Sequence, residues 1–144
     1  MSTKVNNAVW QESFSLGNIM IDEQHTRIFE ILAKLTNLCK RGSSKGKLKN
    51  MMDYLIYFII HHFCDEETMQ IKYNYYDFKR HQDQHNEFKA ILADILYQFD
   101  EDGSAAKLAH ELNEVAAQWM IAHITLEDRK VWEYLQVFNH RQIS

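Results

Sequence analysis

The stretch FKRHQDQHNEFKAILADILYQF, residues 78–99, reads as one helix. Phe78, His81, His85, Phe88, Leu92, Ile95 and Phe99 recur at alternating steps of three and four, the spacing that lines one face of an α-helix. Two positions on that otherwise apolar stripe are histidines. The same periodicity extends outward in both directions. Before it, Leu48, Met52, Leu55, Ile59, His62, Glu66 and Met69 form a stripe, and earlier still Ile28, Leu32, Leu35 and Cys39. After it come Leu108, Leu112, Val115, Trp119 and His123. The chain has no proline and four glycines, and strand-like alternation is hard to find.

These stripes predict an all-α protein of one domain, residues 1–144. An arm over 1–21, containing Trp10, Phe14 and Leu16, precedes helices over about 22–40, 47–73, 78–100, 104–124 and 126–138. Asp22 can cap the first helix. The glycine- and serine-rich segment Arg41 to Gly46, a break around Asn74 to Asp77, and the turn at Asp102, Gly103 and Ser104 separate the helices. Connections this short favour antiparallel neighbours, which predicts an up-down-up-down four-helix bundle with an N-terminal arm and a short C-terminal helix.

Composition narrows the function classes. With 144 residues, 46% of them apolar, the chain is long enough for one real core. Sixteen basic residues against twenty acidic, with the two signs interspersed, provide no positive field for nucleic acid or an anionic membrane. No apolar run reaches the roughly 18 residues that span a bilayer, and Met1 to Asn7 is polar where a secretory signal would be apolar. A cytoplasmic protein is expected. Cys39 and Cys64 are too few for a disulfide framework and read as ordinary thiols.

The polar residues on the stripes carry the chemical signal. In an antiparallel bundle, His25 near the start of the first helix, His62 and Glu66 late in the second, His81 and His85 early in the third and His123 late in the fourth all fall at the same end. His62 with Glu66, and His81 with His85, are pairs four apart, so each pair shares one helical face and could chelate a metal. Taken alone each pair has an ordinary reading, since surface helices carry such pairs. Asp128 alone also reads as a charge at a helix N-terminus. His123 and Asp128 are five apart, and a regular helix would point them about 140° from each other. The expectation is therefore a break, with the fourth helix ending after His123 and Thr125-Leu126-Glu127-Asp128 capping a terminal helix that begins near Leu126. Burying so many polar groups is costly unless something binds them. Five imidazoles and two carboxylates exceed what one tetrahedral zinc accepts and suit two metals bridged by the carboxylates, with iron favoured by the mixture of imidazole and carboxylate. Ferritin-like di-iron bundles use Glu-x-x-His pairs and are carboxylate-rich, whereas this set is histidine-rich.

Four stretches together resemble the hemerythrin family, specifically its single-domain bacterial members, the bacteriohemerythrins. They are Ile21-Asp22-Glu23-Gln24-His25, His62-Phe63-x-x-Glu66-Glu67, His81-x-x-x-His85 with Phe88, and Trp119-x-x-x-His123-Ile124-x-x-x-Asp128. The resemblance spans nearly the whole chain. It implies that His81, His85 and His123 bind one iron, that His25 and His62 bind the other, and that Glu66 and Asp128 bridge them together with an oxo or hydroxo ligand. The iron with two histidines would be the open one, where dioxygen binds reversibly. Phe63, Trp119, Met120 and Ile124 are the expected walls of an apolar oxygen pocket, and Trp10 on the arm is placed to cover the site's end. The sequence departs from the family pattern at Tyr76, where proline is frequent, and at Met69, one position earlier than the usual methionine. Those departures bear on the turn before the third helix and on access to the pocket.

The implied function is a small oxygen carrier for storage or delivery, not an enzyme. Its expected partners are dioxygen and an oxygen-consuming enzyme or redox partner, and a monomer is expected. No effector domain is read in the 144 residues. That weakens the first alternative, an oxygen or redox sensor acting through a separate partner. A second is a di-iron peroxide or nitric oxide reductase. His61, His110 and His140 lie outside the ligand pattern and read as surface histidines, the tyrosines Tyr73, Tyr75 and Tyr76 as cover for the bundle's edge, and Glu67 as a surface carboxylate or one that supports a ligand.

Overall fold

The computed structural model describes residues 10–143, with side chains through Val137; Met1 to Asn7 and the side chain of His140 lie outside the described residues. The protein is all-helical, and no strand occurs among those residues. Helix α1 spans Ile19–Lys40, α2 Lys45–Lys72 and α3 Phe78–Asp102. A final rod then runs over 105–143 as α4 (Ala105–Glu111), a π-helical turn (Leu112–Ala117), α5 (Gln118–Ala122), a second π-helical turn (His123–Asp128) and α6 (Arg129–Ile143). α1 packs on α2 and α4, and α3 on α2 and α4, so the four neighbours close a ring.

Local chemistry sets most boundaries. The Asn18 side chain accepts from Ile21 N at 3.0 Å and caps α1, while Ser44 and Ser104 cap α2 and α4 through Lys47 N and Lys107 N. Asp22 is not the cap. Lying inside α1, it accepts from Leu16 N at 2.9 Å and Ser15 Oγ at 2.7 Å, so its carboxylate ties down the arm. Gly103, at φ 63°, ends α3 in the left-handed conformation that glycine adopts without a Cβ clash.

Two expectations fail in the last rod, for one reason. No break separates His123 from Asp128, because Ala122, His123 and Arg129 all keep right-handed helical dihedrals and the turn between them is widened instead. With i→i+5 hydrogen bonding, residues five apart come nearly into line. The first wide turn shifts the register likewise: Val115 is 36% exposed, and Ala116 and Ala117 take the buried positions. On α2 the inward stripe ends at Gln70, fully buried, while Met69 is half-buried beside it.

The core falls into two parts. A large cluster includes Ile28, Leu32, Leu55, Ile59, Phe63, Phe88, Leu92, Met120 and Ile124. A smaller one caps the bundle's end with Leu16, Ile21, Tyr75, Val131, Trp132 and Leu135. Several of the buried polar residues lie between the two: His25 between Ile21 and Ile28, Glu66 after Phe63, His81 and His85 between Tyr75 and Phe88, Asp128 between Ile124 and Val131.

Candidate metal centre

All seven expected donors are buried at 4% exposure or less and converge on one point of the interior. Their donor atoms form two overlapping groups, Glu66, His81, His85, His123 and Asp128 in one, and His25, His62, Glu66 and Asp128 in the other. Both carboxylates belong to both groups. Glu66 turns Oε1 to His62 Nε2 and to His25 Nε2 at 3.3 Å, and Oε2 to His81 and His85, each at 3.7 Å. Asp128 turns Oδ2 to His25 at 3.3 Å and Oδ1 to His81 and His123 at 3.0 and 3.1 Å. The wide turn His123–Asp128 makes this second span geometrically available.

With the imidazoles neutral, as metal ligands must be, lone pairs in this arrangement face lone pairs, and that is the fit test for a metal. The Glu67 carboxylate accepts from His85 Nδ1 at 2.8 Å, which leaves Nε2 of the neutral ring without a proton. Gln24 donates its amide nitrogen to Asp65 at 2.9 Å, so its oxygen accepts from His62 Nδ1 at 2.6 Å, and His62 Nε2 is likewise a lone pair, aimed at a carboxylate oxygen. Nε2 of His123 lies 3.2 Å from that of His85 and 3.1 Å from that of His81. Nitrogen donors held at about 2.1 Å from one cation, at right angles to one another, stand about 3 Å apart. The donor set fits a pair of cations.

Without a metal, charges within the cluster compensate one another. Burial disfavours the imidazolium of His25 and of His81, but the adjacent Asp128 and Glu66 carboxylates override it and raise each pKa to about 9. Burial also opposes ionisation of Glu66 and Asp128, and Asp128 adds its repulsion at Glu66; His62 and His25 nevertheless hold Glu66 well below the usual range, as His123, His25 and His81 do Asp128. His85 is shifted down, chiefly by burial. The folded pKa of His25 and His81 exceeds the ordinary 6.5, so their contribution to stability is complete below 6.5 and lost as pH rises through about 9. The chelated protein should lose stability across that window, read as a falling urea midpoint; a flat midpoint would refute the assignment of charge. Metal uptake should also release protons at neutral pH.

Aromatic rings surround the cluster. Phe63 stacks on His85 at 3.8 Å and 3°, with its centroid 5.8 Å from that of His62. Trp119, half-buried, stacks on His123 at 4.6 Å and on Phe88 at 4.2 Å. Met120 and Ile124 are fully buried in the large cluster. The ring beside His25 is Trp10, at 6.4 Å, and its arm is anchored by Arg129, which donates to Ser13 O at 3.1 Å. A groove of about 230 Å³ lined by Gln84, Glu87, Trp119, Leu126 and Glu127 reaches His123 from the surface. His61 and His110 are exposed and Tyr76 is 76% exposed, away from the donors. Gln24, Asp65 and Gln82, which donates to Glu67 at 3.1 Å, had no expected role. Their only signal is adjacency to a ligand or its partner, too common to single them out.

Comparison with known proteins agrees with this geometry. The family model described as "Hemerythrin HHE cation binding domain" matches residues 17–135, a stretch that contains all seven donors. The chain is 28% identical over 108 residues to the bacteriohemerythrin of Methylococcus capsulatus, covering 75% of this chain and 80% of that one. It is 26% identical over 126 residues to that of Campylobacter jejuni, covering 88% and 93%. For the bacteriohemerythrin of Pseudomonas aeruginosa the figures are 26% over 120 residues, 83% and 76%. With the cation-binding pattern and the buried donors falling on the same residues, this chain belongs to the hemerythrin family.

Proposed function

We propose that this chain binds two iron ions, bridged by Glu66, Asp128 and an oxo or hydroxo ligand, and uses them to bind dioxygen reversibly for storage or delivery. The observation that carries the reading is the division of five imidazoles into three and two, with each carboxylate offering one oxygen to each side. His81, His85 and His123 would hold one iron and His25 and His62 the other, which has one donor fewer and so an open position. Bound there, ferrous iron supplies the electrons that dioxygen takes up on binding and gives back on release.

The chain's own residues do the rest. Glu67 and Gln24 hold the outer nitrogens of His85 and His62 and fix which nitrogen faces the centre. Phe63, Trp119, Met120 and Ile124 form the apolar wall of the oxygen pocket and exclude water and acids, on which reversibility depends. Trp10 covers the side of His25. The same reading takes the helices as an up-down-up-down antiparallel bundle and the protein as a cytoplasmic monomer with no nucleic-acid or membrane partner. The closed ring of neighbours supports the bundle, and a net charge of −4 with both signs interspersed speaks against a nucleic-acid partner; among the described residues no helix is long and apolar enough to cross a membrane.

The test is an optical oxygen cycle on iron-loaded, anaerobically reduced protein, with iron counted on the same sample. A band that appears with oxygen and vanishes on its removal, at two irons per chain, is the expected result. Irreversible oxidation would replace the carrier by a sensor or a peroxide or nitric oxide reductase, and failure to bind iron would refute the reading.

A further inference from the structure

The end of the bundle conceals a second set of polar atoms. Gln70 is fully buried, and neither its amide oxygen nor its amide nitrogen has a hydrogen-bond partner among the described residues. Trp132 is 6% exposed, and its indole N–H is equally without an acceptor. Gln70 follows Glu66 by four residues on α2, and Trp132 follows Asp128 by four, so each stands one turn past a carboxylate on the same face. Nδ1 of His25 and of His81 completes the set, buried and unpartnered, whereas Nδ1 of His62 and His85 is held by Gln24 and Glu67.

Their surroundings cannot satisfy them. The neighbouring cap is Leu16, Ile21, Val131, Leu135 and Tyr75, whose ring packs against those of Tyr76 and Tyr134. A buried polar group left unpaired is costly, and several together would rival the marginal stability of a whole domain. The set is rich in donors: two imidazole N–H groups once Nε2 faces the centre, an indole N–H and an amide NH₂, against one amide oxygen. A ligand that accepts several hydrogen bonds, donates to one, and fits a closed interior is water.

We propose that Gln70 and Trp132 hold ordered water beneath Glu66 and Asp128, and that this water is a route by which protons reach the metal centre. The proposal rests on the di-iron oxygen-binding reading. On the other side of the centre, Ile28, Ile59, Phe88, Met120 and Ile124 offer nothing for a proton to travel on, and the other polar paths are Gln24 with Asp65 at His62, Glu67 with Gln82 at His85, and the groove at His123. On the cap side, partly buried Met69, Tyr73 and Tyr134 form the layer next to solvent. Protons matter because air oxidation consumes them: dioxygen takes one electron from each of two ferrous ions and two protons from solvent, leaves as hydrogen peroxide, and both irons end ferric. Gln70 is then a positioning residue that sets how long the oxygenated protein survives.

The test uses iron-loaded full-length protein: wild type, Gln70→Met, which keeps the volume without hydrogen-bonding groups, and Trp132→Phe, which deletes the indole N–H. Iron content, air-oxidation rate across neutral pH in H₂O and D₂O, and a crystal structure of wild type and Gln70→Met are compared. Expected are an ordered water on the Gln70 amide, lost in Gln70→Met, and unchanged iron. Oxidation should slow on the order of tenfold, less than a positioned acid's full contribution because other routes remain, with weaker dependence on pH and D₂O; Trp132→Phe should shift the same way. Gln70 bonded to protein with no water, or normal iron with unchanged oxidation kinetics in both variants, overturns the proposal alone. Wild-type protein that takes up no iron overturns the di-iron reading and this proposal with it.

Discussion

Glu66→Ala should lower bound iron from two per chain to one or none, because this carboxylate belongs to both donor groups and its removal takes a ligand from each. Deleting a group that merely supports a ligand typically weakens metal binding about 10- to 100-fold, so losing a shared ligand should exceed that range. His62→Ala should remove iron from the two-imidazole side first, since only His25 and the carboxylates remain there. His110→Ala, on the exposed surface of α4, should keep the full complement. Metal analysis of the three variants after loading and dialysis decides it. Equal losses in all three would mean that iron sits elsewhere or binds adventitiously, and full iron in Glu66→Ala would remove that residue from the bridge.

The largest effect on folding should come from Phe63→Ala. Phe63 is fully buried, stacks flat on His85 and packs edge-on against Phe88 at 6.1 Å, so it joins the large apolar cluster to the donors. Truncating such a ring costs about 3–5 kcal/mol, from lost transfer free energy and the cavity left behind. That is a large part of a typical domain's stability, so Phe63→Leu is the companion variant that preserves most of the volume. Denaturant unfolding of the chelated proteins separates this packing effect from metal binding. An Ala variant within about 1 kcal/mol of wild type would show that the site collapses readily around the loss, at the mild end of what core substitutions cost.

Much of this molecule was legible in one dimension. A stripe with steps of three and four is dictated by helix geometry, so α1, α2 and α3 could be placed within a few residues of their ends. Polar residues on such stripes violate the burial rule, and a violation shared by several helices at one end of a bundle marks a site from spacing alone. Supporting residues were less legible: Glu67 read equally as a surface carboxylate or as one that supports a ligand, and Gln24 carried no role. Gln24 and Glu67 stand beside ligands in sequence, yet their roles depend on which ring nitrogen turns outward.

The sequence by itself determined the helical class, the apolar faces and the polar residues His62, Glu66, His81, His85 and His123 that interrupt them, because backbone periodicity and the cost of burying polar groups act locally and leave their mark on spacing. The tertiary structure alone decided that the rod carrying His123 widens instead of breaking, that Ala116 replaces Val115 in the core, that Asp22 fastens the arm, and that Gln70 lies inside beside Met69. Each of these depends on contacts between residues far apart in the chain. A widened turn costs little locally and is selected by what it brings together, in this case Asp128 and the imidazoles of three other segments.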